Sequence, residues 1–117
     1  LKNELKAEVT AHNGMHVLFK ELNTEAATAK DILFQLRQEF DAFVGVIGHK
    51  EADKCGITII LNEALASQNN WQANQWIKEI SGHIQGGGGG QAAFATAGGK
   101  NAAGLQTALA HLKSKLG

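Results

Sequence analysis

The residues of this 117-residue chain best suited to contact chemistry are glycines: Gly86, Gly87, Gly88, Gly89 and Gly90 in succession, then Gly98-Gly99-Lys100-Asn101. A run of glycine offers no side chain to pack. It exposes backbone N–H and C=O groups and reaches backbone conformations closed to other residues. Ordering it costs about 1–2 kcal/mol per residue in backbone entropy. A folded chain carries that cost where its backbone passes close to something: a neighbouring strand, a partner chain or a phosphate–sugar backbone. The second segment precedes a predicted helix, so it offers helix N-terminal amides and a cation to an anion. The first follows a helix, whose C-terminal dipole disfavours phosphate, so a docked phosphate is expected nearer Gly99 and Lys100 than Gly86. Gly98-Gly99 also reads as a plain tight turn from strand to helix.

Other chemistries find less support. A nucleotide-hydrolysing phosphate loop needs a glycine where Phe94 stands and Ser or Thr where Asn101 stands. A dinucleotide fingerprint must follow a strand, whereas the glycine run follows a helix. His12 and His16 have the spacing of two metal ligands on a helix, but Asn13-Gly14 between them disfavours a helix and no third ligand follows. Cys55, the lone cysteine, reads as a small buried residue. No Ser/His/Asp arrangement or close carboxylate pair stands out; Glu51 and Asp53 read as solvated loop residues. Trp76 falls on an apolar stripe and reads as core. Trp71 and Phe94 read first as packing residues and second as stacking platforms for a base.

The elements that must position these residues follow from periodicity. Leu1 to Ala7 has the spacing of a helix's end, and Val9 to Gly14 reads as a connection with a turn at Asn13-Gly14. Met15–Leu22 reads as a strand. A helix follows, capped by Asn23 or Thr24, with Ala29, Ile32, Leu33, Leu36 and Phe40 on one face. Phe43–Gly48 and Gly56–Asn62 read as a hairpin whose loop exceeds two residues, then Ser67–Asn70 as a polar loop. Ala73, Trp76, Ile77, Ile80 and Ile84 mark a second helix, with Gly82 off its face and Gly86 as the residue that ends it. Phe94–Ala97 reads as a short strand. Leu105, Ala108, Leu109, Leu112 and Leu116 mark a last helix that Asn101 can cap. The expected fold is α/β (α+β): a compact mixed-sheet sandwich of about four strands with three helices after a leading helix.

Composition sets the remaining bounds. Hydrophobic residues make up 44% of the chain, enough for a packed core. No apolar run approaches the roughly 20 residues that span a bilayer, and no signal peptide is evident. With a single cysteine, these features fit a cytosolic protein. The chain begins at Leu1 rather than methionine, which suggests a segment of something longer. Net charge is zero but unevenly spread. Residues 1–63 carry a net of −3; residues 64–117 carry +3, from Lys78, Lys100, Lys113 and Lys115 against Glu79. The glycine run lies in that basic half, although the balance is far from that of a general nucleic-acid binder.

With Gly86–Gly90, Gln91, Phe94-Ala95-Thr96-Ala97-Gly98-Gly99-Lys100-Asn101 and Gly104, the chain resembles the C-terminal, DHHA1-type domain of bacterial alanyl-tRNA synthetases, a group also found behind DHH phosphoesterases. The match covers about residues 73–112. It departs at Ala92 and Ala102, where the family often has proline. The resemblance implies a non-catalytic domain, residues 11–117, with residues 1–10 as the end of a tether helix from the editing domain. It implies binding to the outer corner of tRNA(Ala), coupling of aminoacylation with editing, and in some members dimerisation. ATP, Mg and Zn would belong to upstream domains, and the fragment itself would hold no cofactor. On this reading Lys100, Lys78 and the amides of Gly98 and Gly99 contact phosphate, with Asn101 beside them. Gly86–Gly90 admit the RNA backbone or an unstacked base, and Gln85 and Gln91 add hydrogen bonds. Two alternatives remain open: an oligomerisation or interdomain packing module, and the nucleic-acid-holding domain of a DHH-family phosphoesterase. The latter would need Asp-His-His metal ligands upstream of Leu1.

Overall fold

The computed structural model describes residues 2–52 and 54–116. Leu1 of the expected tether helix, Asp53 of the expected solvated loop and Gly117 at the end of the expected domain lie outside the described residues. Among the described residues the order is α1 (Lys2–Lys6), β1 (Thr10–His12), β2 (Met15–Leu22), α2 (Ala26–Glu39), β3 (Phe43–Glu51), β4 (Lys54–Leu61), α3 (Glu63–Asn69), α4 (Ala73–Ile80), β5 (Gly87–Gly90), β6 (Phe94–Gly99) and α5 (Leu105–Ser114). Short 3-10 turns at Ser81–Ile84 and Ala102–Gly104 follow α4 and precede α5.

One sheet of six strands, ordered β1-β2-β3-β4-β6-β5, forms the middle of three layers. β2 and β3 run parallel, joined through α2; the other pairs are antiparallel. A helical crossover is what parallel neighbours need. β3 and β4 are buried along most of their length, so they read as continuous apolar runs rather than alternations. Their alternate residues feed two cores. Phe43, Ile47 and Ile60 meet Ile32, Leu33 and Leu36 of α2 and Leu5 of α1. Val44, Val46, Ile57 and Ile59 meet Trp76, Ile77 and Ile80 of α4 and Leu105, Leu109 and Leu112 of α5.

The mixed sheet and the three stripe-bearing helices are as expected; the counts and several boundaries are not. β1 is a three-residue strand rather than a connection, closed onto β2 by Asn13 and Gly14, both at positive φ as a tight hairpin turn demands. The β3–β4 register runs to Glu51 opposite Lys54, so the hairpin loop has only two residues, with Ala52 at positive φ. Ser67–Asn69 belong to α3 rather than to a loop; only Leu65 and Ala66 are buried there, too few to mark a stripe. Glu25, not Asn23 or Thr24, occupies the N-cap of α2, and Phe40 has left the helix in an extended conformation. Gln85, not Gly86, takes the left-handed position after the 3-10 turn. Most consequentially, the glycine run itself is a strand, at the sheet's edge.

Candidate nucleic-acid interface

Glycine is a poor strand former, so β5 owes its conformation to what it pairs with. It lies antiparallel to β6, with Gly87 opposite Gly98 and Gly90 opposite Ala95, and against α4. The five glycines divide into two sets. A Cβ on Gly86, Gly88 or Gly90 would fall within 3.0 Å of the carbonyl oxygen of Gly98, Thr96 or Phe94 respectively. Glycine at these positions lets β5 and β6 approach. A Cβ on Gly87 or Gly89 would meet nothing within 4 Å. Packing within the chain therefore does not require glycine at those two positions. They leave a bare backbone on an edge strand that is exposed over most of its length.

The ends of this strand carry the other expected contact residues. Gln85 is exposed immediately before it and Gln91 immediately after, the Gln91 amide donating to Phe94 O at 2.7 Å. Lys100 comes back beside Ile84, next to Gln85. The amides of Lys100 and of Asn101 both donate to Ile84 O at 2.9 Å. This corrects the expectation of free N–H donors in that segment: a chain carbonyl already occupies these two. Gly98 and Gly99 are ladder residues of β6, with Gly56 and Cys55 opposite on β4. Asn101 caps no helix amide; its Nδ2 donates to His83 O at 3.2 Å. The Lys100 ammonium is exposed and, among the described residues, makes no ion pair. The same holds for Lys78, on the outer face of α4. The remaining basic residues of this half are committed elsewhere. Lys115 Nζ is 2.7 Å from Glu79, and Lys113 lies over the Phe19 ring. What the arrangement offers an anion is thus two free ammonium groups and the outer edge of β5, rather than a nest of amides.

The aromatic residues divide as well. Trp76 is buried, and the half-buried Trp71 packs on it with ring centroids 5.5 Å apart, in line with its first reading as a packing residue. Phe94 is half-buried, 5.3 Å from Phe34. Cys55 is buried and free, and burial raises its thiol pKa. His12 stands in the β1–β2 hairpin, and the His16 ring lies 4.6 Å from Phe40. Among the described residues no group of three or more His, Cys, Asp or Glu is placed to hold a metal ion.

Sequence reasoning passed over a second feature. On the α2 side of the sheet, a recess of about 530 Å³ opens between the first turn of α2 and the ends of β3, β4 and β6. His49 lies in it, only 6% exposed, with Nε2 3.1 Å from the Oγ1 of the fully buried Thr58. Thr58 interrupts the apolar run of β4, a visible signal in the sequence, whereas His49 stands where β3 turns polar before Lys50 and Glu51 and carries no such mark.

Residues 14–117 match the DHHA1 domain. The chain is 40% identical over 114 residues to the alanine–tRNA ligase of Christiangramia forsetii, covering 97% of this chain and 13% of that protein. It is 39% identical over 118 residues to that of Parabacteroides distasonis, covering 100% and 13%. It is 42% identical over 110 residues to that of Porphyromonas gingivalis, covering 92% and 12%. The chain thus spans about an eighth of the length of these relatives. The fold is similar to the crystal structure of the C-Ala domain from Aquifex aeolicus alanyl-tRNA synthetase, with a TM-score of 0.79 and 24% identity over 92% of this chain and 96% of that one.

Proposed function

The chain belongs to the DHHA1 domain family, and from that membership we propose that it is the non-catalytic C-terminal domain of an alanine–tRNA ligase, binding the outer corner of tRNA(Ala) and helping to couple aminoacylation with editing. The relatives' names support the parent enzyme. The observation that carries RNA binding is the bare pair Gly87 and Gly89 on an exposed edge strand, which the chain's own packing leaves unexplained. RNA backbone lies along β5. Lys100 and Lys78 meet phosphates, Gln85 and Gln91 add hydrogen bonds at the strand's ends, and Gly98, Gly99 and Asn101 hold Lys100 in place. Phosphate contacts of this kind position RNA without reading sequence. The aminoacylation and editing domains, with ATP, Mg and Zn, lie upstream in the parent, α1 leads toward them, and the parent works in the cytoplasm. The test is tRNA affinity against salt for the chain and for Lys100→Glu. The variant should bind more weakly, with a salt slope reduced by about one. Equal affinities would remove Lys100 from the interface.

One observation favours a second reading. As the last strand of the sheet, β5 has an outer edge without a β partner among the described residues, and such edges accept a strand from another chain. A tight dimer in sedimentation equilibrium that ignores tRNA would favour oligomerisation or interdomain packing over RNA binding.

A further inference from the structure

We infer that the recess between the first turn of α2 and the open face of β4 and β6 is a base-binding pocket, which takes one unpaired nucleobase of the RNA held along β5; this rests on the RNA reading above.

The recess lies between the first turn of α2 and the ends of β3, β4 and β6, where β6 contributes the small residues Ala97 and Gly98. A Cβ on Gly98 would meet nothing nearer than Cys55 O at 4.0 Å. The size, about 530 Å³, falls in the range of small-ligand sites. One wall is the half-buried Phe94 ring, with Lys30 Nζ 5.5 Å from its centroid. His49 forms part of the floor; it is nearly buried, with its Nε2 facing Thr58 Oγ1. Gly56 lets the ring lie there, since a Cβ would come 2.6 Å from His49 Cε1. Burial lowers the pKa of His49 and so favours the neutral ring. The Thr58 hydroxyl can donate or accept, so His49 can present either an acceptor or a donor to a ligand.

Charge selects the class of ligand. Lys30 and Lys54 line the recess, and so do Glu25 and Glu51. A phosphate entering it would meet two carboxylates as well as two ammonium groups. A nucleobase is neutral and planar, and its edge carries both donors and acceptors. The carboxylates, the Thr96 hydroxyl and His49 Nδ1 can pair with that edge while Phe94 supplies the apolar wall. Position supports the same ligand. Gly98, on the pocket face, pairs directly with Gly87, one of the two bare positions of β5. A strand of RNA along β5 therefore passes the pocket mouth.

The experiment has two arms. In the first, adenosine, guanosine, cytidine and uridine are titrated into the unmodified 117-residue chain while NMR follows the amides of Thr96 and Gly98 and the His49 ring. At least one nucleoside should shift these resonances selectively. In the second, a tRNA(Ala) transcript carries an abasic substitution at each unpaired position in turn. One such position should weaken binding by roughly tenfold or more. That penalty should vanish in Ala27→Leu, which adds bulk at the recess wall on the exposed first turn of α2, away from the residues assigned to phosphate and backbone contact. If no nucleoside shifts the pocket and no abasic position matters while intact tRNA still binds, the pocket inference fails and the RNA reading stands. If nucleosides bind but tRNA does not, the RNA reading fails, and with it the assignment of the pocket to an RNA base.

Discussion

Alanine at Gly88 and alanine at Gly89 should have opposite consequences. The added carbon at Gly88 would press into the Thr96 carbonyl, so β5 must leave β6 or the ladder must deform. A loss of about 1–3 kcal/mol in urea unfolding is expected, as for other overpacked sites. At Gly89 the added carbon meets open space, so stability should hold within about 0.5 kcal/mol while tRNA affinity falls. Equal destabilisation by the two variants would refute the division of the glycines. His49 makes a separate prediction. Burial lowers its pKa in the folded state, so below the ordinary histidine value the unfolded chain binds more protons than the folded one. Stability should decline as pH falls from about 6.5, and the decline should be absent in a His49→Gln variant that still folds. The run of glycines announces close approach at the level of single residues. It does not say which glycines serve β6 and which serve a ligand, because that depends on how β5 is rotated against its neighbour.

Between elements, Glu79 ties α4 to the far end of the chain. Its carboxylate lies 2.7 Å from Lys115 Nζ and 3.2 Å from His111 Nε2. The hydrogen bond from Lys115 is the main reason its pKa is lowered, aided by His111 and opposed by desolvation. A carboxyl depressed in the folded state adds stability above its unfolded pKa and loses it as pH falls through the folded value. The tie should therefore weaken in acid below about pH 4.3. Glu79→Gln should lower stability only slightly at neutral pH, by less than about 1 kcal/mol and so with a small fall in the midpoint of thermal unfolding, because the side chain is exposed. A large loss would mean that the pair anchors α5. Elements with a full apolar stripe, α2, α4 and α5, were legible because 3.6-residue periodicity survives over two turns or more. Elements held by partners rather than by pattern were not. β1 has three residues, α3 has two buried side chains, and β5 has no side chains at all.

At the scale of the whole molecule, the basic excess of residues 64–117 shrinks to two ammonium groups without an ion pair among the described residues, Lys78 and Lys100, once Lys113 and Lys115 have found partners. Two phosphate contacts predict a shallow salt dependence, with log affinity falling against log salt at a slope of about −2 or less steep. A slope near −4 would bring further cations such as Lys30 and Lys54 into the interface. The sequence alone determined the α/β class, the three amphipathic helices, the apolar hairpin and the glycine-rich segments on which the family resemblance rests. All of these depend on local periodicity and residue type. Only the tertiary structure decided that the glycine run is an edge strand, that Ile84 already holds the amides of Lys100 and Asn101, and that His49 and Phe94 share a recess with the start of α2. Each depends on contacts between residues far apart in the chain, and no local pattern encodes which distant backbone will supply a hydrogen-bond partner.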